Sequence, residues 1–331
     1  MEKCTIVLTN PISEESRHEI LSVKPNNIQL IDINALSRRE YKGEAEAKAE
    51  LDKILLETDV VYGGRWPPNL LQRAPHLKWL QVTSAGVDRY VTAELKDSQV
   101  ILTNVSGIHA TPIGEFVLTF MLMFAKKMPY AYEIKQKKQW DRYAASVLRG
   151  KTVGIVGLGH IGKEVARLSK AFGMQVIATR RAAKTMTKTR NVDMLLPSSW
   201  LPKLLSQSDF VVITLPLTDE TRNMFSDAQF RLMKESAYII NIGRGPIIDE
   251  PALIRALDEN QIAGAGLDVF SQEPLPAISP LWEMPNVIMT PHVSGGQEDY
   301  EKEANKIFCA NLRRFLEGKR LMNVVNKKTG Y

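Results

Sequence analysis

The stretch Thr152–Gly162, TVGIVGLGHIG, limits what this chain can fold into more than any other. A β-branched run leads into Gly157, Gly159 and Gly162, spaced G-x-G-x-x-G, and a helical pattern follows. In that context the triad specifies a strand that turns sharply into a helix. Gly157 permits the tight turn, Gly159 lets the backbone approach a pyrophosphate, and Gly162 lets helix and strand pack closely. The helix start then offers unpaired N–H groups and a partial positive charge to phosphates. Such a turn belongs to a parallel sheet with helices on its faces.

The flanking sequence supplies strands for two such sheets. Early in the chain, strands are predicted at Thr5–Leu8, Ile28–Ile31, Val60–Tyr62, Trp79–Val82 and Val100–Thr103, with helices at Ser13–Ser22 and Ala45–Glu57. From Lys151 the alternation restarts, with strands at Thr152–Val156, Gln175–Thr179, Phe210–Leu215, Ala237–Ile242, Gly264–Val269 and Val287–Thr290. Helices are expected there at Ile161–Phe172, Trp200–Ser206, Asp227–Met233 and Pro251–Glu259. A last helical stretch, Glu298–Gly318, is expected to cross back to the first unit. Between the halves, Thr111 reads as an N-cap and Pro112 as the first residue of a helix apolar on nearly every face. Such a helix must be buried all round, which suggests an interdomain and subunit-contact role. Met121, Met123, Met128 and Met174 read as packing.

Composition removes several classes of function. The 331 residues are 44% hydrophobic and 24% charged, a globular mix of two-domain length. The net charge of +6 comes from 43 basic and 37 acidic residues that are interspersed, so nucleic-acid binding is not expected. The exceptions are two basic runs, Lys135–Lys138 and Arg180–Arg190. No repeat is visible. The longest apolar run, Phe116–Ala125, is about half the roughly 20 residues a membrane span needs. The start, MEKCTIVLTN, has no export signal, and Cys4 and Cys309 are too few for a disulfide framework or a zinc site. A cytoplasmic protein without a metal or a membrane partner is the expectation.

In sheets of this kind the strand after the glycine turn ends on the residue that meets the adenosine ribose, an acid where NAD is used. Here MQVIATRR ends on Arg180 and Arg181, with no acid before Asp193 and with Lys184 adding positive charge. Arginine favours a 2′-phosphate, so NADP(H) is expected over NAD(H).

Three later strands each end on a chemically suggestive segment: Asn241–Gly245 (NIGRG), Asp268–Pro274 (DVFSQEP) and Thr290–Gly295 (TPHVSG). In an open parallel sheet, ligands bind outside the carboxyl ends of the strands. Hydride chemistry on a 2-keto acid needs a cation for the carboxylate and carbonyl, and Arg244 suits both. It needs a proton donor working near neutral pH, for which His292 is available. It needs a carboxylate that orients this histidine and favours its charged form, and Glu273 is the candidate.

These segments together resemble the D-isomer-specific 2-hydroxyacid dehydrogenase family. The resemblance covers nearly the whole chain and is strongest over 80–296. It rests on SAGVD (Ser84–Asp88), VGIVGLGHIG, LPLTDET (Leu215–Thr221), NIGRG, GLDVFSQEP and TPHVSG, in that order. It implies an α/β fold of two doubly wound parallel-sheet domains, a flavodoxin-like substrate domain and a Rossmann cofactor domain, with a cleft between them. Residues 1–106 and 292–331 would form the first and 107–291 the second.

It further implies catalytic roles for Arg244, Glu273 and His292. Backbone N–H groups of Ser84, Ala85 and Gly86 would bind the substrate carboxylate, with Arg244 and His292. The cofactor would be lined by Gly157, Gly159, His160, Ile161, Gly162, Thr179, Arg180, Arg181, Leu215, Pro216, Thr221, Ile242, Gly243, Asp268 and His292. Asp268 would meet the nicotinamide carboxamide, and His160 would contribute only backbone contact with phosphate. Members pair as homodimers through the cofactor domain. Arg180 in place of the common acid resembles NADPH-using glyoxylate and hydroxypyruvate reductases. The expected reaction is therefore reduction of a short 2-keto acid by NADPH to the D-2-hydroxy acid. The alternative is an NAD(P)H-sensing, corepressor-like binding protein on the same fold. Outside this set, His18 and His76 read as surface residues, and His109 lies near the interdomain joint without an assigned role. Arg65, Trp66, Trp140 and Tyr143 are open candidates for the substrate mouth.

Overall fold

The computed structural model describes residues 3–87 and 89–328. Asp88, the last residue of the SAGVD marker, lies outside the described residues. The chain divides into two compact units, Met1–Ile108 with Gln297–Tyr331, and His109–Gly296. The sequence reading ends the inserted domain at Pro291. The structure carries it to Gly296, because the backbone at Val293 and Ser294 is hydrogen-bonded to Asp268 of the same unit.

The first unit is built on five parallel strands: β1 (Cys4–Leu8), β2 (Ile28–Asp32), β3 (Val60–Tyr62), β4 (Trp79–Gln81) and β5 (Ile101–Thr103). Their order, β2-β1-β3-β4-β5, is the flavodoxin-like one. The central strands are apolar on both faces, as a parallel sheet covered by helices requires. The helix Tyr300–Leu316 returns to this unit and stacks Phe308 on Tyr62 at 4.0 Å and on Trp79 at 5.2 Å. Asn311, fully buried, ties that helix to the sheet. Its amide donates to Gln81 Oε1 and Met322 O, and its oxygen accepts from the Met322 amide at 2.7 Å. Three short helices escape the sequence reading: Asn34–Tyr41, Leu70–Arg73 and Ala93–Asp97. The first buries no side chain, so it carries no apolar period to detect. A largely buried Arg73–Glu40 ion pair at 2.9 Å helps hold it.

The second unit has eight strands rather than the six expected: β6 (Thr152–Val156), β7 (Gln175–Arg180), β8 (Thr187–Thr189), β9 (Val192–Pro197), β10 (Phe210–Ile213), β11 (Tyr238–Asn241), β12 (Gly264–Leu267) and β13 (Val287–Met289). Their order is β13-β12-β11-β10-β6-β7-β9-β8, all parallel except the β8–β9 hairpin. Its first strand lies in the basic run Arg180–Arg190, and its second begins at Val192. β8 reads TKT and is wholly exposed, so no hydrophobic alternation marks it. Asn191, at φ 61°, makes its turn in the left-handed region that asparagine tolerates.

The apolar helix runs over Ala110–Ala125 and packs within the second unit. Thr111 is not its N-cap: the helix starts one residue earlier, and the cap position, His109, makes no side-chain capping bond. Nor is it buried all round. Ile113, Val117, Phe120, Met121 and Phe124 are buried, while Thr111, Glu115 and Thr119 are exposed. Phe124 stacks on Tyr238 of the sheet at 4.4 Å.

From β6 the chain proceeds to β7 on one side and later to β10 on the other. The strand order therefore reverses between β6 and β10, the kind of switch point at which open parallel sheets bind ligands.

Replacing Asn311 by alanine removes the acceptor of the Met322 amide and the donor to the buried Gln81 Oε1. The expected loss is about 2–3 kcal/mol of unfolding free energy, read from urea denaturation.

Candidate active site

The glycine turn has the shape a dinucleotide requires. Gly157 sits at φ 103°, closed to ordinary side chains, and a Cβ on Gly162 would collide with the Gly157 carbonyl oxygen. A Cβ on Gly159 would meet nothing within 4 Å, so the approach to the helix start is open. The helix His160–Ala171 makes its first bond from the Lys163 amide to the Gly159 carbonyl at 3.1 Å. The Ile161 and Gly162 amides precede that bond, in the first turn, where a helix offers its N–H groups to an anion. His160 is exposed and Ile161 half-buried at this start. The residues present fit a nicotinamide dinucleotide.

The loops beside the turn converge on it. The Leu215 side chain stands where a Cβ on Gly157 would point, and the Leu215 carbonyl lies 2.8 Å from where one on Gly243 would be. Ile242 and Gly243 are buried behind this contact. Thr221 turns its hydroxyl inward to the Pro216 carbonyl at 2.8 Å, which closes its own loop. Thr179 is 3% exposed, and its carbonyl accepts from the Leu158 amide at 3.1 Å. It props the glycine turn through its backbone.

Arg180 and Arg181 are exposed at the carboxyl end of β7. Asp193, the first acid after them in sequence, binds the Val176 amide at 2.8 Å and Lys170 at 2.9 Å, at the opposite end of that strand. An acid the sequence reading passed over is nearer: Glu220 stands 4.0 Å from Arg181.

The three carboxyl-end loops of β11, β12 and β13 form one cluster. Asn241, buried, accepts from the Gly243 amide at 3.1 Å and donates to the Arg244 carbonyl at 3.0 Å, which fixes the bend that carries Arg244. A Cβ on Gly245 would overlap the Phe270 carbonyl, so only glycine lets these loops touch. The Arg244 guanidinium donates to the Gly243 carbonyl at 2.9 Å. Burial, and then the charge of Arg244, hold the nearby His109 imidazole below its usual range. Glu273 uses one oxygen to accept from the Phe270 amide at 3.0 Å and places the other 2.7 Å from His292 Nδ1. His292 and Glu273 are both partly exposed, at 47% and 37%, so the pair is reachable from outside.

His292 has φ 55°, a left-handed conformation that costs a non-glycine residue about 1–2 kcal/mol. Asp268 holds it there. Its carboxylate has no exposed surface and accepts from Thr290 Oγ1 at 2.6 Å, the Val293 amide at 2.9 Å, the Ser294 amide at 3.0 Å and Ser294 Oγ. Four donors fill the acceptor positions of a carboxylate. Asp268 thereby anchors the loop that carries His292. Sequence reasoning missed this, although Thr290 and Ser294, two residues either side of His292, were the available signal.

In the first unit, Ser84, Ala85 and Gly86 follow β4 and are half-buried. The open candidates divide. Trp66 donates from Nε1 to the Gly63 carbonyl at 2.9 Å and packs on Tyr90 at 5.0 Å, while Arg65 is exposed. Trp140 is 93% exposed, and Tyr143 packs edge-on against Tyr130 at 5.3 Å. His18 and His76 are exposed. Burial pushes the Cys4 thiol up to about 12 and the Cys309 thiol to about 11, as suits packing groups.

Asp268→Asn retains the shape but gives up part of the acceptor set. Stability is expected to fall by about 2–4 kcal/mol, and the Val293 and Ser294 amides to lose hydrogen-exchange protection.

Comparison with known proteins agrees with this geometry. A profile described as "D-isomer specific 2-hydroxyacid dehydrogenase, NAD binding domain" matches residues 118–294. Glyoxylate/hydroxypyruvate reductase B of Citrobacter koseri is 32% identical, with 98% of each chain covered. D-3-phosphoglycerate dehydrogenase of Methanocaldococcus jannaschii is 33% identical over 88% of this chain, which spans 57% of that protein's length. Among solved structures, an NADPH-dependent glyoxylate/hydroxypyruvate reductase from Sinorhizobium meliloti, in complex with NADP and sulfate, superposes with a TM-score of 0.82. It is 29% identical and covers 99% of this chain and 100% of its own. The chain belongs to the D-isomer-specific 2-hydroxyacid dehydrogenase family and is an oxidoreductase with a nicotinamide cofactor.

Proposed function

We propose that this protein reduces short 2-keto acids of the glyoxylate and hydroxypyruvate type to D-2-hydroxy acids, with NADPH preferred. The observation that carries this reading is the His292–Glu273 pair at 2.7 Å, set in a loop whose strained backbone Asp268 holds. When bound, the nicotinamide cofactor supplies the hydride. Arg244 binds the anionic substrate and polarises its carbonyl. Glu273 accepts a hydrogen bond from His292 Nδ1–H, which leaves Nε2 as the nitrogen that exchanges a proton with substrate. His292 gives that proton to the carbonyl oxygen as negative charge develops there, and takes it back in the reverse reaction. The amides of Ser84–Gly86 are assigned to the substrate carboxylate.

Arg180, at the end of β7 with the nearest downstream acid turned to the other end of the strand, supports NADPH. So does the likeness to the Sinorhizobium meliloti enzyme, whose description is NADPH-dependent. The sensing alternative is not favoured, since the matched relatives are described as reductases and dehydrogenases. We assign the working form to a cytoplasmic homodimer. The exposed Tyr132, Trp140 and Val147, and the only partly buried Phe116, Leu122 and Met123, are apolar side chains of the second unit that pairing through that unit could cover.

The test is consumption of NADPH or NADH, followed by absorbance of the reduced nicotinamide, against a panel of 2-keto acids. Turnover of glyoxylate and hydroxypyruvate with NADPH is expected, and no turnover with any pair would overturn the reading. His292→Asn should lower kcat by roughly 10²–10⁴-fold with cofactor binding retained. Arg180→Asp should reduce kcat/KM for NADPH by about 10–100-fold while leaving NADH nearly unchanged. An equal loss with both cofactors would remove Arg180 from 2′-phosphate recognition.

A further inference from the structure

The segment 83–86 in the first unit has an unusual hydrogen-bond arrangement. All four of its carbonyl oxygens are bound from inside the unit. Thr83 O accepts from the Tyr300 hydroxyl, Ser84 O from the Val105 amide at 3.4 Å, Ala85 O from Asn104 Nδ2 at 2.8 Å, and Gly86 O from Ser84 Oγ at 2.8 Å. In a trans peptide the carbonyl of one residue and the N–H of the next point in opposite directions. Each carbonyl held inward therefore turns the following amide away from its partner. The amides of Ser84, Ala85 and Gly86 meet no acceptor among the described residues. A run of fixed, unspent N–H groups is an anion cradle.

Two of the four partners are side chains from other elements. Asn104 follows β5, is 8% exposed, and is itself held: its Oδ1 accepts from the Ser106 amide at 3.0 Å and its carbonyl from Asn323 Nδ2 at 3.3 Å. Tyr300 opens the C-terminal helix. Burial, and then Tyr90, push its phenol up to about 12, so it stays a donor at neutral pH.

We propose that Tyr300 and Asn104 are positioning residues that pre-form this amide cradle for the carboxylate of the 2-keto acid. They touch neither substrate nor cofactor. They fix the peptide planes, so that the carboxylate meets oriented dipoles and the loop is not ordered at the expense of binding. The proposal rests on the reading that the enzyme takes a 2-keto acid, and it concerns recognition of the carboxylate rather than the hydride step.

Tyr300→Phe removes one hydroxyl and little volume, and Asn104→Ser removes the reach to Ala85 O. The measurements are KM and kcat for the best 2-keto acid, oxalate affinity by calorimetry as a carboxylate probe, NADPH affinity, and the melting temperature. For each variant, KM and the oxalate Kd should rise about 5–10-fold, with kcat and NADPH affinity within about twofold of wild type. An unchanged KM and oxalate Kd in a folded Tyr300→Phe would overturn the proposal. So would a parallel fall in kcat and NADPH affinity, which marks a general structural role. Wild-type protein that binds oxalate but turns over no 2-keto acid would instead defeat the functional reading. The oxalate affinities of the variants would then still decide whether Tyr300 and Asn104 shape an anion site.

Discussion

Asp268 has no exposed surface, yet its carboxylate is surrounded by two hydroxyls and two backbone amides, and the course of the chain after β13 follows from that arrangement. A buried carboxylate with fewer donors would be destabilising, because desolvation outweighs a single bond. With four donors it becomes a rigid point to which Thr290, Val293 and Ser294 are tied. His292 lies in the middle of that stretch and takes up the strain. The energy that places the imidazole against Glu273 therefore comes from bonds made on either side of it. This is the usual way a sparsely populated backbone conformation persists at a functional site.

The same logic runs through the second sheet. Parallel strands direct their carboxyl ends to one edge, so the loops after β6, β10, β11, β12 and β13 share it by topology. Contact between them is then a question of side-chain volume. Gly162 lets the helix meet the glycine turn, Gly243 lets the Arg244 loop pass the Leu215 carbonyl, and Gly245 lets that loop meet Phe270. Each would clash as alanine. The Asn241 amide fixes the bend between the last two with a pair of backbone bonds. The sheet supplies direction, the glycines supply approach, and buried polar side chains supply orientation.

Which of these features the sequence revealed depends on the range of the force involved. The strands with β-branched runs were legible, as were the glycine turn and the order of the motifs, because each is written in neighbouring residues. The β8–β9 hairpin was not, since an exposed TKT strand has no apolar period and owes its existence to pairing with Val192 and Leu195. The helix Asn34–Tyr41 was hidden for the same reason. Thr111 looked like a cap because its residue type and the following proline suit one, but the chain had already entered the helix at Ala110. In the site, residue types pointed to Arg244, Glu273 and His292. The left-handed backbone of His292 and the anchoring by Asp268 are made by residues more than twenty positions apart in sequence. Periodicity and spacing carry no information about bonds of that kind.

On the proposed reading, local charge distribution rather than net charge governs what each unit recognises. The whole chain carries only +6, too little to set a strong general field. At the end of β7, however, Arg180 stands beside Arg181, and Glu220 at 4.0 Å neutralises part of the second charge. That leaves Arg180 as the group with most to gain from a phosphate. A charge-assisted bond at a partly exposed position contributes about 1.5–3 kcal/mol, or roughly 10–100-fold in affinity. This is enough to separate a cofactor with a 2′-phosphate from one without it. The anion cradle proposed for the first unit uses a different device. Around 83–86 the proposed recognition falls to backbone dipoles that the bonds from Tyr300 and Asn104 hold in place. Fixed dipoles are screened less by salt than an exposed guanidinium and lose no side-chain entropy when a ligand arrives. On the proposed reading, raised ionic strength is expected to weaken the grip of Arg180 on a 2′-phosphate before it weakens the amide cradle, which would make cofactor discrimination the more salt-sensitive of the two recognitions.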